Sequence, residues 1–394
     1  MKKNILTFAL LLTSFTALAS GGDSDTRKIP SYIAIGNNVG TVLQTCSFFS
    51  GDNAIPVYAS QSIKYIVSSP GDRWQQVAYG MPYYGIGASV AEFGRHDELG
   101  TPISLYMVQG ATIRQLGRRL ALNYELNLGF STAWEPYDPF DNRNNNAIGS
   151  TMNVHAAGNI YLKWYLSITT DIHFGTSIFH ASNGSSRQPN LGINTASLYF
   201  ELTHNFNRNQ IKERYNPNIE IPEFEKHFEH DIQLIMSSKN IRSSDNAANG
   251  VNSHQFDVYG LNYYSMRTTN YNYKYGIGAE LLYDGSSNAQ ITRRYSEIDD
   301  LWYEIADMAP LQERLSVGLA IRGEIVKPLY TVFADIGYSV IQPNKSMERL
   351  YQTVGVKVPL KSNLYATFGV RATNFSVAQF LYWSLGYTFN RDRQ

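Results

Sequence analysis

Apolar and polar residues alternate along much of this chain. Between Leu120 and Phe130 every even position is apolar, whereas the odd positions include Asn123, Glu125 and Asn127. Successive side chains of a β-strand point to opposite faces of the sheet. The segment therefore predicts a strand with one apolar and one polar face, which is typical of a membrane-spanning β-barrel with a polar interior.

The same alternation predicts an all-β, antiparallel fold with two sets of about eight strands. The predicted strands lie near 31–47, 57–68, 82–95, 102–115, 118–133, 150–166, 169–181 and 193–206, and then near 230–241, 252–266, 270–284, 311–325, 328–341, 350–360, 362–375 and 379–390. This divides the chain into a barrel region at 31–207, a polar linker at 208–230 and a second barrel-like region at 231–390. The two regions could form two barrels or the halves of one barrel of up to about sixteen strands.

The two regions also resemble each other in sequence. The segment Tyr84-Gly-Ile-Gly-Ala88 recurs as Tyr275-Gly-Ile-Gly-Ala279, and Tyr199–Asn207 recurs in outline as Tyr382–Asn390. Either an internal duplication or the shared demands of barrel strands could produce this similarity.

The first 20 residues have the features of a secretory signal peptide. Lys2 and Lys3 precede an apolar run from Ile5 to Leu18, and small residues follow it. Such a run is too short for a comfortable transmembrane helix, and no later stretch reaches eighteen apolar residues. Export together with a barrel predicts the outer membrane. The apolar, aromatic alternation from Leu381 to Phe389 also suits the last strand of such a barrel.

Composition and charge narrow the functional classes. The chain contains 28 Tyr and 30 Gly but only 17% charged residues, as expected for a barrel with aromatic belts and many turns. Its 33 basic and 33 acidic residues balance, so nothing favours nucleic acid as a partner. The single cysteine, Cys46, permits no internal disulfide, and a small buried residue is its better interpretation.

Candidate chemistry lies at the end of the seventh predicted strand. His180 and Ser182 are two residues apart, so they share a face, and counting from Thr170 this face is the apolar one. A serine hydroxyl becomes a useful nucleophile when an adjacent base takes its proton. On the next strand Asn194 also falls on the apolar face, whereas Glu201, the nearest carboxylate downstream, falls on the polar face.

This region resembles the lipid A 3-O-deacylase family, the outer-membrane acyloxyacyl hydrolases. The matching stretches are His180-Ala-Ser-Asn183, Pro189-Asn-Leu-Gly-Ile193, Tyr84-Gly-Ile-Gly87, Trp134-Glu-Pro-Tyr-Asp138 and Ala147-Ile-Gly-Ser150. The likeness covers roughly residues 83–207. It implies an eight-stranded barrel with a Ser-His-Glu triad on its outside, in which His180 is the base and Ser182 the nucleophile.

The family's glutamate position is occupied by Asn194 in this chain. A neutral amide can still orient an imidazole, as in Cys-His-Asn proteases. The resemblance implies lipopolysaccharide as the substrate, with its lipid A ester lying at the outer end of the strand. Asn183, Gly184 and Asn190 are candidates for shaping the loop or stabilising the oxyanion, although Asn183 and Asn190 could equally be simple turn residues.

Neither a metal nor a cofactor is expected, and the sequence does not indicate an oligomeric state. Three functions remain open: an esterase, a transport barrel, or a relative without activity that binds lipopolysaccharide or only occupies the membrane. If the regions are duplicates, aligning Gly175 with Gly369 places Asn374 opposite His180 and Ser376 opposite Ser182. The second copy would then lack a base and be structural.

Overall fold

The computed structural model describes residues 29–45, 47–138, 140–209, 211, 218–241, 251–252, 254–298, 301–345, 347–375 and 377–389. The predicted signal peptide, Cys46, Ser376 and part of the predicted linker lie outside these residues. No helix in the described part of the chain is long and apolar enough to cross a membrane.

The first barrel is closed and contains eight antiparallel strands in chain order. They are β1 Ser31–Val42, β2 Tyr58–Ser68, β3 Tyr83–Glu92, β4 Gly100–Gly117, β5 Leu120–Trp134, β6 Asn153–Tyr165, β7 Thr170–Ser182 and β8 Ile193–Phe206. Two short helices, α1 Trp74–Ala78 and α2 His96–Leu99, and the 3₁₀ turns Ser47–Phe49 and Gly51–Asn53 lie in its connections. Closure is direct, because β8 pairs with β1 from Phe206 opposite Ser31 to Thr195 opposite Val42.

The second barrel is also closed and has eight strands, which decides between the two architectures left open by the sequence. Its strands are β9 His227–Asn240, β11 Gln255–Thr268, β12 Tyr273–Asp284, β15 Leu315–Val326, β16 Thr331–Ile341, β17 Leu350–Pro359, β18 Leu364–Thr373 and β19 Val377–Phe389. The segment between β12 and β15, for which the alternation predicts no strand, is not a plain loop. It forms the strands β13 Gln290–Ser296 and β14 Leu301–Asp307, which build a small sheet with β10 Val251–Asn252, and it ends in a 3₁₀ turn at Leu311–Arg314.

Side chains alternate between the inner and outer faces of the strands as predicted. On β5 the odd positions Asn123, Glu125 and Asn127 are buried in the barrel interior, whereas outward residues on neighbouring strands, such as Ile160 and Trp164, are exposed. The apolar band therefore faces outward, and the polar groups must satisfy one another inside.

Ion pairs and aromatic rings fill the interior of the first barrel. The Lys64 ammonium lies 2.6 Å from Glu125 and 2.8 Å from Glu201, and His173 Nδ1 lies 2.8 Å from Glu201 Oε1. A cavity of only about 30 Å³ remains beside Lys64, enough for a few water molecules. Towards the end where β5 meets β6, an apolar cluster that includes Trp134 closes the interior.

The interior of the second barrel is also occupied by ion pairs. Arg322 forms a bidentate pair with Asp335, at 2.7 and 2.8 Å, and the Arg371 guanidinium contacts Glu280. Paired charges therefore span the lumen of the second barrel, and an eight-stranded barrel has an interior just wide enough for side chains to fill.

Lys64 offers a test of the interior network. Replacing it with methionine should lower the free energy of unfolding by about 3–5 kcal/mol, because Glu125 and Glu201 would lose their buried cation. Urea unfolding of the purified protein in detergent, followed by heat-modifiable electrophoretic mobility, measures the change. The control variant Lys226→Met, at an exposed position, should unfold at the same urea concentration as wild type. If Lys64→Met also unfolded at the wild-type urea concentration, the ion-pair network would not stabilise the barrel.

The two barrels touch along a line of contact that we call the seam. At one end Asn272 Nδ2 donates to Ala78 O at 3.2 Å, and the rings of Trp74 and Tyr271 lie 4.8 Å apart. At the other end, Ser185 in the β7–β8 loop bonds to the second barrel. The outward side chains of β5 between these contacts, Leu122, Leu126, Leu128 and Phe130, are half-buried, whereas those of β1 and β2 are exposed. The second barrel therefore lies against the β5 side of the first.

Candidate active site

The ladder between β7 and β8 brings the three candidate triad residues together. His180 is the direct Cα partner of Asn194 in this antiparallel pair, so their side chains share one face. His180 Nε2 lies 2.8 Å from Ser182 Oγ, and His180 Nδ1 lies 2.7 Å from Asn194 Oδ1. The face is the outward one, because Ile178 on the same side of β7 is 66% exposed.

The tautomer of His180 follows from these contacts. Asn194 Oδ1 can only accept a hydrogen bond, so His180 Nδ1 carries the proton and donates it. Nε2 is then an acceptor for the Ser182 hydroxyl, which is the arrangement that a general base requires. His180 is half-buried and Ser182 is 5% exposed, so loop residues surround the hydroxyl.

Thr45 fixes the orientation of the Asn194 amide. Asn194 Nδ2 donates to Thr45 Oγ1 at 3.0 Å, which directs Oδ1 towards the imidazole. Thr45 lies in the β1–β2 connection, 149 positions before Asn194. Sequence reasoning missed this residue, since no local pattern links it to the motif.

Asn190 and Asn183 have different environments in the β7–β8 loop. Asn190 Oδ1 accepts from the Asn183 backbone N–H at 2.9 Å. Its Nδ2 is buried and has no partner among the described residues. The Asn183 side chain donates to Ser150 Oγ at 3.0 Å and to the Arg187 carbonyl at 2.9 Å. Asn183 therefore braces the loop, whereas Asn190 Nδ2 is a donor without a partner among the described residues.

Glycines allow the loop to approach the triad closely. Gly184 and Gly192 have φ of 58° and 74°, a region that favours glycine. A Cβ on Gly192 would lie 3.0 Å from His180 Cε1. The backbone N–H of Gly184 has no hydrogen-bond partner among the described residues. Gly184 thus offers a second donor near Ser182 in sequence.

The β5–β6 loop supports the β7–β8 loop. Gly192 N–H donates to Ala147 O at 2.9 Å, and Leu191 N–H donates to Asn146 O at 3.1 Å. Asn145 is fully buried and its side chain bonds to three backbone groups of its own loop and to the Glu98 carbonyl of α2. Nearby, hydrogen bonds from backbone N–H groups lower the pKa of Asp138. The matching stretch at 147–150 thus has a structural role beside the site.

Two titratable residues on β7 and β8, His173 and Glu201, lie inside the barrel. They pair with each other and do not reach the outward face, as expected from their positions on the polar faces of β7 and β8. The described residues contain no group of three or more His, Cys, Asp or Glu side chains arranged to hold a metal ion. The hydrogen bond between His180 and Ser182 can activate the serine hydroxyl on the lipid-facing side of the barrel.

These features define a class: an outer-membrane β-barrel with a serine–histidine–amide constellation on its outer surface. Two family models match the chain, lipid A 3-O-deacylase (PagL) over residues 62–203 and the acyloxyacyl hydrolase C-terminal domain over residues 228–391. The chain belongs to the lipid A 3-O-deacylase family of outer-membrane β-barrels, whose members are lipid A deacylases. It is accordingly a protein of the outer membrane.

The chain is also similar to several solved structures. The crystal structure of the outer membrane enzyme PagL matches at 17% identity and a TM-score of 0.29, covering 43% of this chain and 97% of that chain. The siderophore receptor PirA from Pseudomonas aeruginosa matches at 8% identity and a TM-score of 0.27, covering 93% of this chain and 81% of that chain. A TodX monoaromatic hydrocarbon channel mutant matches at 10% identity and a TM-score of 0.18, covering 93% and 91%. No curated protein matches the chain. The assignment rests on the family models.

Proposed function

We propose that this protein is an esterase that removes the 3-O-linked acyl chain from lipid A of lipopolysaccharide, with Ser182 as nucleophile and His180 as general base. The observation that supports this most directly is the continuous hydrogen-bond chain from Thr45 through Asn194 and His180 to Ser182. A barrel that only occupied the membrane would not need this chain of contacts on its outer face.

The reaction would proceed in two steps. Ser182 Oγ attacks the ester carbonyl carbon while its proton passes to His180 Nε2. The tetrahedral intermediate collapses as the bond to the sugar oxygen breaks, and His180 gives its proton to that leaving oxygen. Water then attacks the acyl-serine with His180 again as base, which releases the fatty acid and restores Ser182.

The negative charge that develops on the carbonyl oxygen needs donors that are already in place. Asn190 Nδ2 suits this role because its own Oδ1 is held by the Asn183 N–H, and the amide therefore has a fixed direction. The unpaired Gly184 N–H is the second candidate. Asn194 keeps His180 in the productive tautomer and takes the place of the family's glutamate.

The position of the triad favours a lipid substrate. A soluble hydrolase binds its substrate in a water-filled cleft, whereas His180 and Asn194 lie on the face that carries Ile178, Leu198 and the other exposed apolar side chains. An ester within the membrane reaches such a face by lateral diffusion. The ion-paired interiors of both barrels speak against the alternative of a transport barrel.

Mass spectrometry of lipid A tests the proposal. A host that expresses the intact protein should lose one hydroxyacyl mass from its lipid A, and the same host with His180→Ala should not, because Ser182 would lack its base. Heat-modifiable mobility of both proteins shows that the barrels are folded. Unchanged lipid A with the folded, intact protein would refute the substrate assignment.

A further inference from the structure

The second barrel contacts the active-site loop directly at the seam. Ser185 Oγ donates to Ala378 O at 2.8 Å, and the Asn240 N–H donates to Ser185 O at 2.9 Å. Ala378 lies on β19 and Asn240 ends β9, so adjacent strands of the second barrel hold both sides of one loop residue. Ser185 is 3% exposed, which shows that this contact is buried.

Gly184 packs against the same strand. A Cβ on Gly184 would lie 2.2 Å from Leu381 Cδ2 and 2.3 Å from its Cγ, so the glycine backbone is in close contact with the Leu381 side chain. Side chains other than hydrogen cannot occupy this space unless Leu381 or the loop moves.

The backbone at this point is strained as well as anchored. Ser185 has a φ of 64°, in the left-handed region, which costs a non-glycine residue on the order of 1 kcal/mol. Such a conformation persists when the surroundings over-determine it. The two hydrogen bonds to β9 and β19 provide this constraint, because they fix both the side chain and the carbonyl of Ser185.

The anchored segment is adjacent to the candidate oxyanion donors. Gly184 carries one of them, and Asn183, the residue before it, holds the Asn190 amide through its N–H. Oxyanion stabilisation depends on donors that need no rearrangement during the reaction, and a displacement of about 1 Å can cost 10²-fold in rate. A loop fixed one residue away from its donors meets this requirement.

We propose that the second barrel is a positioning element of the active site: across the seam, Leu381 and the Ala378 carbonyl hold Gly184 and Ser185 so that the oxyanion donors face the ester. The inference rests on the proposed function in that it concerns the same serine. The second barrel then contributes to the reaction although it has no base of its own, since Asn374 occupies the position that aligns with His180.

Paired substitutions test this coupling in the full-length protein. Gly184→Ala should lower kcat by about 30-fold or more, because its Cβ meets Leu381 and its φ is unfavourable. Adding Leu381→Ala should restore kcat to within about tenfold of wild type, because the space is then free and only the backbone strain remains. If the two substitutions acted independently, the double variant would lose kcat by the product of the two single-variant factors, and that result would overturn the proposal.

Ser185→Ala keeps the test decisive if Gly184→Ala does not fold. It should lower kcat by about two- to tenfold with KM unchanged, since one hydrogen bond that positions transition-state donors is lost. The matched control is Ser186→Ala in the same loop, which should react at the wild-type rate. Leu385→Ala is the second control, because Leu385 lies on the same face of β19 as Leu381 but is 45% exposed.

Two readouts separate this inference from the proposed function. Deacylation of purified lipid A in detergent gives kcat and KM, and the rate at which a fluorophosphonate labels Ser182 reports the nucleophile and oxyanion donors without lipid A. If lipid A stays intact but Ser182 is labelled, the substrate assignment fails. The labelling rates of the seam variants relative to wild type then test whether the second barrel positions the site. Folded Ser185→Ala and Leu381→Ala proteins that label and deacylate as fast as wild type would overturn the inference, and so would a wild-type protein inert in both assays.

Discussion

Replacing Ser182 with alanine should lower the rate of lipid A deacylation by about 10⁴-fold or more, because loss of the nucleophile in a serine triad removes nearly all the catalysis that the triad provides. The hydroxyl is 2.8 Å from His180 Nε2, and no other hydroxyl in the described part of the chain is bonded to that atom. Time-resolved mass spectrometry of lipid A incubated with the purified variant measures the loss.

Folding controls make the Ser182 result interpretable. The substitution removes one hydroxyl group from a loop-end position, so both barrels should keep their heat-modifiable mobility. Ser186→Ala, in the same loop, serves as the matched variant with wild-type activity. Ser182→Ala that still deacylated lipid A would show that another group attacks the ester.

Replacing Asn194 with leucine should lower the rate by about 10³- to 10⁴-fold, because His180 would lose the acceptor that holds its proton on Nδ1. Leucine has nearly the same shape as asparagine but cannot hydrogen-bond. The imidazole could then carry its proton on Nε2, where it can no longer accept one from Ser182. The measurement is again kcat for lipid A with folded protein.

Asn194→Asp is the informative partner of that variant. Aspartate keeps an acceptor at the 2.7 Å position and adds a negative charge that stabilises the imidazolium formed during attack. Its rate should equal or exceed that of wild type. If the leucine variant were as active as wild type, Asn194 would not be the orienting residue, and the resemblance to a triad would be accidental.

Much of the first barrel could be predicted from the sequence because its strands obey a simple rule. Parity correctly placed Glu125 and Glu201 inside and His180 outside, since each strand separates a lipid-facing from a polar face. The same rule placed Asn194 beside His180, because the two residues lie on consecutive strands that a short loop connects. The prediction of which residues meet in the candidate site thus followed from local pattern and motif.

Parity could not decide how the strands close. A strand such as β8 presents the same alternation whether it pairs with β1 or continues into β9, so one large barrel and two small ones were equally compatible with the pattern. The ladder from β8 back to β1 settles the question. The short strands β13 and β14 were missed because seven residues each give too little alternation to distinguish them from a loop.

Contacts between a loop residue and a residue of a distant strand were also beyond the sequence. Thr45 orients Asn194 across 149 positions, and Ser185 bonds to Ala378 across 193 positions. Both contacts depend on where loops lie after the barrels have closed, which no local propensity encodes. Residues that position a site can therefore be far from its motif even when the motif itself is clear.

Closure of each barrel on its own strands has a consequence for biogenesis. β1 pairs with β8, and β9 pairs with β19, so neither barrel contains a strand of the other. Each can complete its hydrogen bonds during insertion without its neighbour, whereas the bonds of Ser185 to the second barrel require both barrels to be finished. Docking of the two barrels therefore completes the contacts of Ser185, and under the proposed mechanism a newly made chain would acquire full activity only after that step.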